Sequence, residues 1–340
     1  RRAFVMMSYD HPGRPLEHLW NILPVAQALR RLSQYPVVLL TNHSRFPDGK
    51  LVKTAVQPLN VEVRLLSQLS MPPKLARAKM TPTWAVAYWK LQIWTLTDFD
   101  KLIWLDSDSI VFRGIDWLFE RDWMWSQRDD WFCKMNQTSP CSGLMLMFPS
   151  MDDYRGLLRF AETLDSLPGG DQELIKRYFA RKGKPINLLS DLEASFGQCV
   201  GKASTPYVDP TGKSVAGSWS VPSFVHKSGG WGDTNNNVYN NVCFSFNMTR
   251  QRYRLGDKTI NICQYHPLGP YWRDLFCEAT STIGLDVSYV RTFCNDACWY
   301  KGIQPASEGE SCGPLDASLE NEVYYGRHVG WPLPEEASFL

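Results

Sequence analysis

The chain has 340 residues, a net charge of +1 and an apolar content of 44%. That is enough for one large domain, or one domain with an appendage, and it gives no electrostatic support to a nucleic-acid or anionic-membrane partner. No segment reaches the roughly 18 consecutive apolar residues of a membrane span.

The opening "RRAFVMMSYD" is already inside a strand-like run, with no initiator Met and no signal-peptide pattern, so any leader or membrane anchor is expected outside these residues. Within it, "AFVMMSY" reads as a first buried strand. "PLEHLWNILPVAQALRRL" has helical periodicity, with a break expected near Pro24. "PVVLLTN" and "VEVRLL" are a second and third strand, "WAVAYWKLQIWTL" a helix, "KLIWL" a strand and "DWLFE" a short helical turn. "GLMLMF" is another apolar strand, "MDDYRGLLRFAETL" a helix, and "GGDQELIKRYFARKG" a loop opening a helix that stops at Gly183. Continuous apolar strands alternating with helices predict an α/β fold with a doubly wound, mostly parallel, Rossmann-like sheet.

From about residue 190 the texture changes to Gly-, Ser- and Pro-rich segments, and from about 275 it becomes Cys-bearing with weak periodicity. The predicted organisation is a catalytic domain over 1–272 and a Cys-rich, loop-rich extension over 273–340, packed on it. Nine cysteines lie at 133, 141, 199, 243, 263, 277, 294, 298 and 312, without paired zinc-type spacing. Sequons at Asn42, Asn136 and Asn247, together with the late Cys cluster, point to an oxidising compartment, with disulfides bracing the last third. The odd cysteine leaves at least one thiol free or paired elsewhere. Fourteen Trp suit sugar stacking, with ordinary core packing as the alternative for each.

The chemistry concentrates at "LIWLDSDSIVFR", where an apolar strand runs into Asp106-Ser107-Asp108. Two carboxylates this close are prohibitive in a protein interior. They are tolerable at the C-terminal edge of a parallel sheet, where open α/β sheets bind ligands, if a divalent cation sits between them. Solvated carboxylates capping a strand are the plain alternative. Three neighbours shift the balance toward a metal–diphosphate site. Lys90 can reach a phosphate as a point charge. Ser142-Gly143 opens the next strand, where the missing Gly side chain admits a ligand. Asp171-Gln172 follows two glycines at a helix start and can hold sugar hydroxyls.

"YWKLQIWTLTDFDKLIWLDSDSIVFRGIDWLF" resembles the signature block of glycogenin-like, family 8 retaining glycosyltransferases, and the likeness runs over roughly residues 3–180. It implies a glycosyltransferase A-type fold and transfer of a hexose-type sugar from a UDP-sugar to a glycan, glycoprotein or glycolipid acceptor. It also implies Mn²⁺ or Mg²⁺ on Asp106 and Asp108, with Ser107 and Lys90 at the diphosphate. Ser142, Gly143, Asp171 and Gln172 would line the donor sugar, and Met7, Ser8 and Tyr9 would meet the base. Lys90, Asp171 and Gln172 are the catalytic candidates. A Golgi or ER lumenal location, with an anchor outside these residues, fits that reading; oligomeric state is left open.

The chain departs from the family pattern twice. Cys141 stands where the family usually has Asn. The third, histidine ligand has two candidates: His226, with Gly229 near it, is better spaced from the "GGDQ" loop and is preferred; His266, with Gly269 and Trp272, has the better local likeness. Lys227 or Arg273 would have to stand in for the family's lysine.

A retaining transfer can run through a front-face route or a double displacement, and Asp171 is the one carboxylate positioned for the latter, although a binding role is expected for it. Two rival readings exist. "WLDSDSIV" also resembles the haloacid-dehalogenase phosphatase motif, with Asp106 as nucleophile, but that motif normally opens its domain. A non-catalytic sugar-binding module is the other, and it has no need of the metal pair.

Overall fold

Residues 1–9, 17–73, 75, 87–129, 138–165, 170–191, 193–196, 207–208, 214–215, 222–226, 268–287, 290 and 294 are described in the computed structural model. Strand β1 (Arg2–Ser8) alternates between two cores. Phe4 and Met6 enter one, while Ala3, Val5 and Met7 enter the other. A strand apolar on both faces belongs in the centre of a covered sheet. Accordingly β1 pairs in parallel with β2 (Val37–Thr41) on one side and β4 (Lys101–Leu105) on the other. Beyond β2 lies β3 (Val61–Leu65), also parallel.

The other half of the sheet contains one reversed strand. β7 (Pro140–Met147) runs antiparallel to β4 and to β6 (Trp125–Arg128), and β8 (Asn187–Leu188) closes the order β3-β2-β1-β4-β7-β6-β8. β6 and β8 pair in parallel, so β7 alone is reversed and the sheet is mostly parallel, as expected. An apolar run reports burial on both faces and says nothing of strand direction.

Helix α1 (Glu17–Leu32) is continuous through Pro24, contrary to the expected break. Leu19, Trp20, Ile22, Leu23, Val25, Ala26, Ala28 and Leu29 are each at most 2% exposed. Burying such a set at about 1.5–3 kcal/mol per large side chain outweighs the roughly 3 kcal/mol cost of an interior proline. On the opposite face, the expected helix is a 3-10 helix at Tyr88–Thr95. Eight residues is long for that form. Tyr88, Lys90, Leu91, Gln92, Ile93 and Trp94 are all buried, so packing rather than local preference sets it. Helices α2 (Met151–Glu162) and α3 (Gly170–Arg181) follow the sequence reading. Ser150 caps α2 by accepting the Asp153 N–H at 3.2 Å. Gly183, at φ +69°, ends α3 where the sequence placed the stop.

A second, three-stranded sheet orders β5 (Ser109–Val111), β12 (Phe224–His226) and β9 (Ala194–Phe196) as β5-β12-β9. A two-stranded ribbon, β10 (Tyr207–Val208) with β11 (Ser214–Val215), stands apart. The last described helix, α4 (Leu268–Thr282), was not anticipated from the weak periodicity after 275. It buries Trp272, Leu275, Phe276 and Ala279, a spacing of one helical face, against α1. Arg31 pairs with Glu278 at its rim, and Trp20 meets Phe276 edge-on at 6.1 Å. Cys277 of α4 is disulfide-bonded to Cys294. Trp20, Trp94, Trp104 and Trp272 are core residues, at most 2% exposed, so the plain reading holds for these four.

Candidate active site

The strand β4 ends at Leu105, and the chain turns through Asp106-Ser107-Asp108 into β5. The turn is pinned at both ends. Asp106 N–H donates to Gly143 O at 2.8 Å, and Ser109 Oγ donates to Asp106 O at 2.6 Å. Trp104 Nε1–H donates to Asp106 Oδ1 at 2.8 Å, which fixes the first carboxylate.

His226 arrives by strand pairing. β12 runs antiparallel to β5 with His226 opposite Ser109, one residue from Asp108. Its Nε2 lies 3.6 Å from Asp106 Oδ2 and 3.4 Å from Asp108 Oδ1. Ligand atoms of Asp106, Asp108 and His226 all fall within 4.8 Å of one another. The imidazole is held from three sides. Phe196 stacks on it at 5.3 Å, and Cys141 Sγ is 3.6 Å from Nδ1. Gly143 lies beneath, where an added Cβ would sit 2.3 Å from Cε1 and Nδ1. Of the two histidine candidates, His226 joins the carboxylates; His266 lies outside the described residues, as do Gly229 and Lys227 and the side chain of Arg273.

Lys90 is the second organising group, buried with 5% exposure. Its Nζ lies 3.1 Å from Asp106 Oδ1 and 3.0 Å from Asp171 Oδ2. The same ammonium donates to Ser142 O at 3.2 Å and Ser142 Oγ at 3.1 Å, and it sits 4.8 Å from the Trp104 ring centroid. Burial would lower its pKa, but the two carboxylates outweigh that and hold it above its ordinary value. Gln172, the next residue after Asp171, accepts the Ser142 N–H at 3.2 Å and donates to Asp129 Oδ2 at 2.7 Å. Thus Lys90, Asp106, Ser142, Gly143, Asp171 and Gln172 form one connected cluster.

The end of β1 lies nearby in the fold. Met7, Ser8 and Tyr9 are buried, and Ser8 Oγ has no hydrogen-bond partner among the described residues. Tyr9 stacks on His18 at 4.4 Å, and His18 Nδ1 is 3.1 Å from Ser107 Oγ. This bridge ties the expected base-binding end of β1 to the centre of the acidic turn.

His18, Asp129 and Phe196 were missed by sequence reading. None sits in a motif; each reaches the site through tertiary pairing. Gly143 was found, for a related reason: its missing side chain makes room, here for the His226 ring.

Protonation follows from the geometry. Burial pushes the Asp106 carboxyl up, against the pull of Lys90 and His226, with Asp108 and Asp171 adding to the rise. Burial alone would lower the His226 imidazole, but Cys141 and Asp108 drive it well above its ordinary 6.5. The set is two carboxylates and an imidazole crowded round one point, with surplus negative charge relieved by protons. That is a donor set suited to Mn²⁺ or Mg²⁺.

The four parallel strands, the acidic turn at their C-terminal edge and the helices on both faces define a glycosyltransferase A-type α/β fold. The solved glycosyltransferase GlyE of Streptococcus pneumoniae TIGR4 shares that fold, with a TM-score of 0.51 at 15% identity, covering 84% of this chain and 63% of the other. Part of the chain is similar in sequence to glycogenin-like glycosyltransferases. It is 35% identical to mouse glycogenin-1 over 100 residues, which are 29% of this chain and 28% of that protein. It is also 24% identical to the putative UDP-glucuronate:xylan alpha-glucuronosyltransferase 4 of Arabidopsis thaliana over 175 residues, 51% of this chain and 29% of the relative. The matched stretches thus span under a third of these relatives' lengths. No protein-family model matches the chain. No described helix is long and apolar enough to cross a membrane.

Proposed function

We propose that the chain is a metal-dependent retaining glycosyltransferase that moves a hexose-type sugar from a UDP-sugar to a glycan, glycoprotein or glycolipid acceptor. The observation that carries this reading is the convergence of Asp106, Asp108 and His226 beside the buried Lys90. Those three side chains would hold Mn²⁺ or Mg²⁺, and the bound ion would neutralise charge on the departing diphosphate. Lys90 supplies a fixed positive charge at the same place, already desolvated and needing no reorganisation. Asp171 and Gln172 bind the donor sugar, with Ser142 and Gly143 shaping its seat. Met7, Ser8 and Tyr9 meet the base. Asp171 is engaged by Lys90 at 3.0 Å, which damps its nucleophilicity and supports a binding role over attack. A UDP-linked donor is named in the Arabidopsis relative, and a UDP-sugar is our choice here.

The test is hydrolysis of a panel of nucleotide sugars with Mn²⁺, comparing the wild type with Asp108→Ala. A loss of about 100-fold or more is expected in the variant. Equal turnover in the two proteins would refute the metal role.

A pH dependence follows with a fixed sign. In the metal-free protein His226 holds its proton to higher pH than the unfolded chain does. Its contribution to stability is complete below about pH 6.5 and fades as pH rises through the folded-state value. Metal binding must displace that proton, so Mn²⁺ affinity should rise over the same window. Thermal melts with and without Mn²⁺ from pH 5.5 to 8.5 should diverge progressively; a constant gap would sink the coupling.

The Cys277–Cys294 disulfide supports a lumenal, secretory location such as the Golgi or ER. We keep residues 1–272 as the catalytic unit and 273–340 as its Cys-rich extension; the packing of α4 on α1 supports an extension braced against the unit.

A further inference from the structure

Cys141 is the free thiol among the described cysteines, and it is 4% exposed. Its sulfur touches two groups of the site. Gly143 N–H donates to Sγ at 3.4 Å, and Nδ1 of His226 lies 3.6 Å from the same atom. The sulfur is therefore already placed as an acceptor, with a second donor position facing the imidazole.

An imidazole has two nitrogens, and one of them must carry the proton when the other offers a lone pair. Nε2 of His226 faces Asp106 and Asp108, so it is the nitrogen available to a cation. Nδ1 must then keep its hydrogen and find an acceptor in a buried site. Cys141 Sγ is the acceptor in reach. Phe196 stacks on the ring and Gly143 lies close beneath it, so the plane of the ring is confined. Bond partners behind a metal-binding histidine set its tautomer and orientation, and their loss typically costs about 10–100-fold in metal affinity.

The geometry points to Cys141 as a positioning residue that holds His226 in its Nδ1–H form, with Nε2 aimed at the cation. This rests on the metal reading given above. It gives Cys141, which stands where the family usually has Asn, a role as support for the third ligand.

The experiment is Mn²⁺ binding to the full chain without nucleotide, followed by electron paramagnetic resonance of the free ion. It compares wild type, Cys141→Ala, Cys141→Ser and His226→Ala, with thermal melts as a check on folding. Cys141→Ala should weaken Mn²⁺ about tenfold or more, and Cys141→Ser, which keeps an acceptor, should recover most of that loss. Wild-type affinity in Cys141→Ala overturns the positioning role. So does an equal loss in the Ala and Ser variants, which would reflect packing alone. If His226→Ala binds Mn²⁺ like wild type, the triad itself is wrong and the proposal falls with it. If His226→Ala loses binding while Cys141→Ala keeps it, the triad stands and only the positioning role fails.

Discussion

Replacing Lys90 with Met should destabilise the protein by about 3–5 kcal/mol and abolish transfer. The two effects share one cause. The ammonium lies between Asp106 and Asp171 at 3.1 and 3.0 Å, and removing it leaves a buried Asp171 carboxylate and a half-buried Asp106 carboxylate without their shared counter-charge. Met keeps the length and the packing against Trp104, so the loss isolates the charge. Urea titration should lower the midpoint with an unchanged slope, since the unfolded surface is the same. Arginine should not rescue activity: its planar fork cannot occupy a cage shaped by Ser142 O, Ser142 Oγ and a tryptophan face. A Lys90→Met protein as stable as wild type would mean that the carboxylates are solvated, and that the pocket is not the desolvated site described here.

Gly143→Ala is the second large effect. The added methyl would lie 2.3 Å from the His226 ring, and Phe196 stacked on that ring restricts its retreat. Nor can the strand yield easily, because Gly143 O accepts the Asp106 N–H at 2.8 Å. Overpacking of this kind costs roughly 1–3 kcal/mol. The functional cost should be greater, since the ring that must give way is the proposed third ligand. Calorimetry with Mn²⁺ should find binding weakened at least tenfold. Adding His226→Ala to Gly143→Ala should restore the melting temperature without restoring binding, a non-additivity expected of residues in direct contact. Additive effects in the double variant would show that the two residues do not share the strain.

What the sequence carried and what it hid divide along physical lines. Strands β1, β2 and β4 were legible because each is a short apolar run bounded by turn residues. The acidic turn was legible because carboxylates inside such a run demand a reason. Lys90 was legible as an isolated cation in an apolar segment. The direction of β7 was not, because "GLMLMF" is equally apolar either way. Continuity through Pro24 was hidden too, since a local rule was overridden by burial of the whole of α1. His226 could be found only as one of two histidines, because its place is set by pairing with a strand more than 100 residues earlier. Cys141 looked like a mere departure from the family pattern until the imidazole behind it was in view.

The pairing of β5 with β12 sets more than the position of one side chain. Three residues on each strand fix the register, with Phe224 opposite Val111 and His226 opposite Ser109. Strand side chains alternate faces, so a slip of one residue would turn Val225 toward the acidic turn and His226 away from it. Between those registers the backbone has little to choose, as both strands are short and mostly apolar. An ion shared by Asp106, Asp108 and His226 would choose sharply, because it is bound in one register and not in the other. Cation binding at the proposed site would then act as a proofreading step for the fold itself, locking the small sheet to the large one by rejecting the mis-paired alternative.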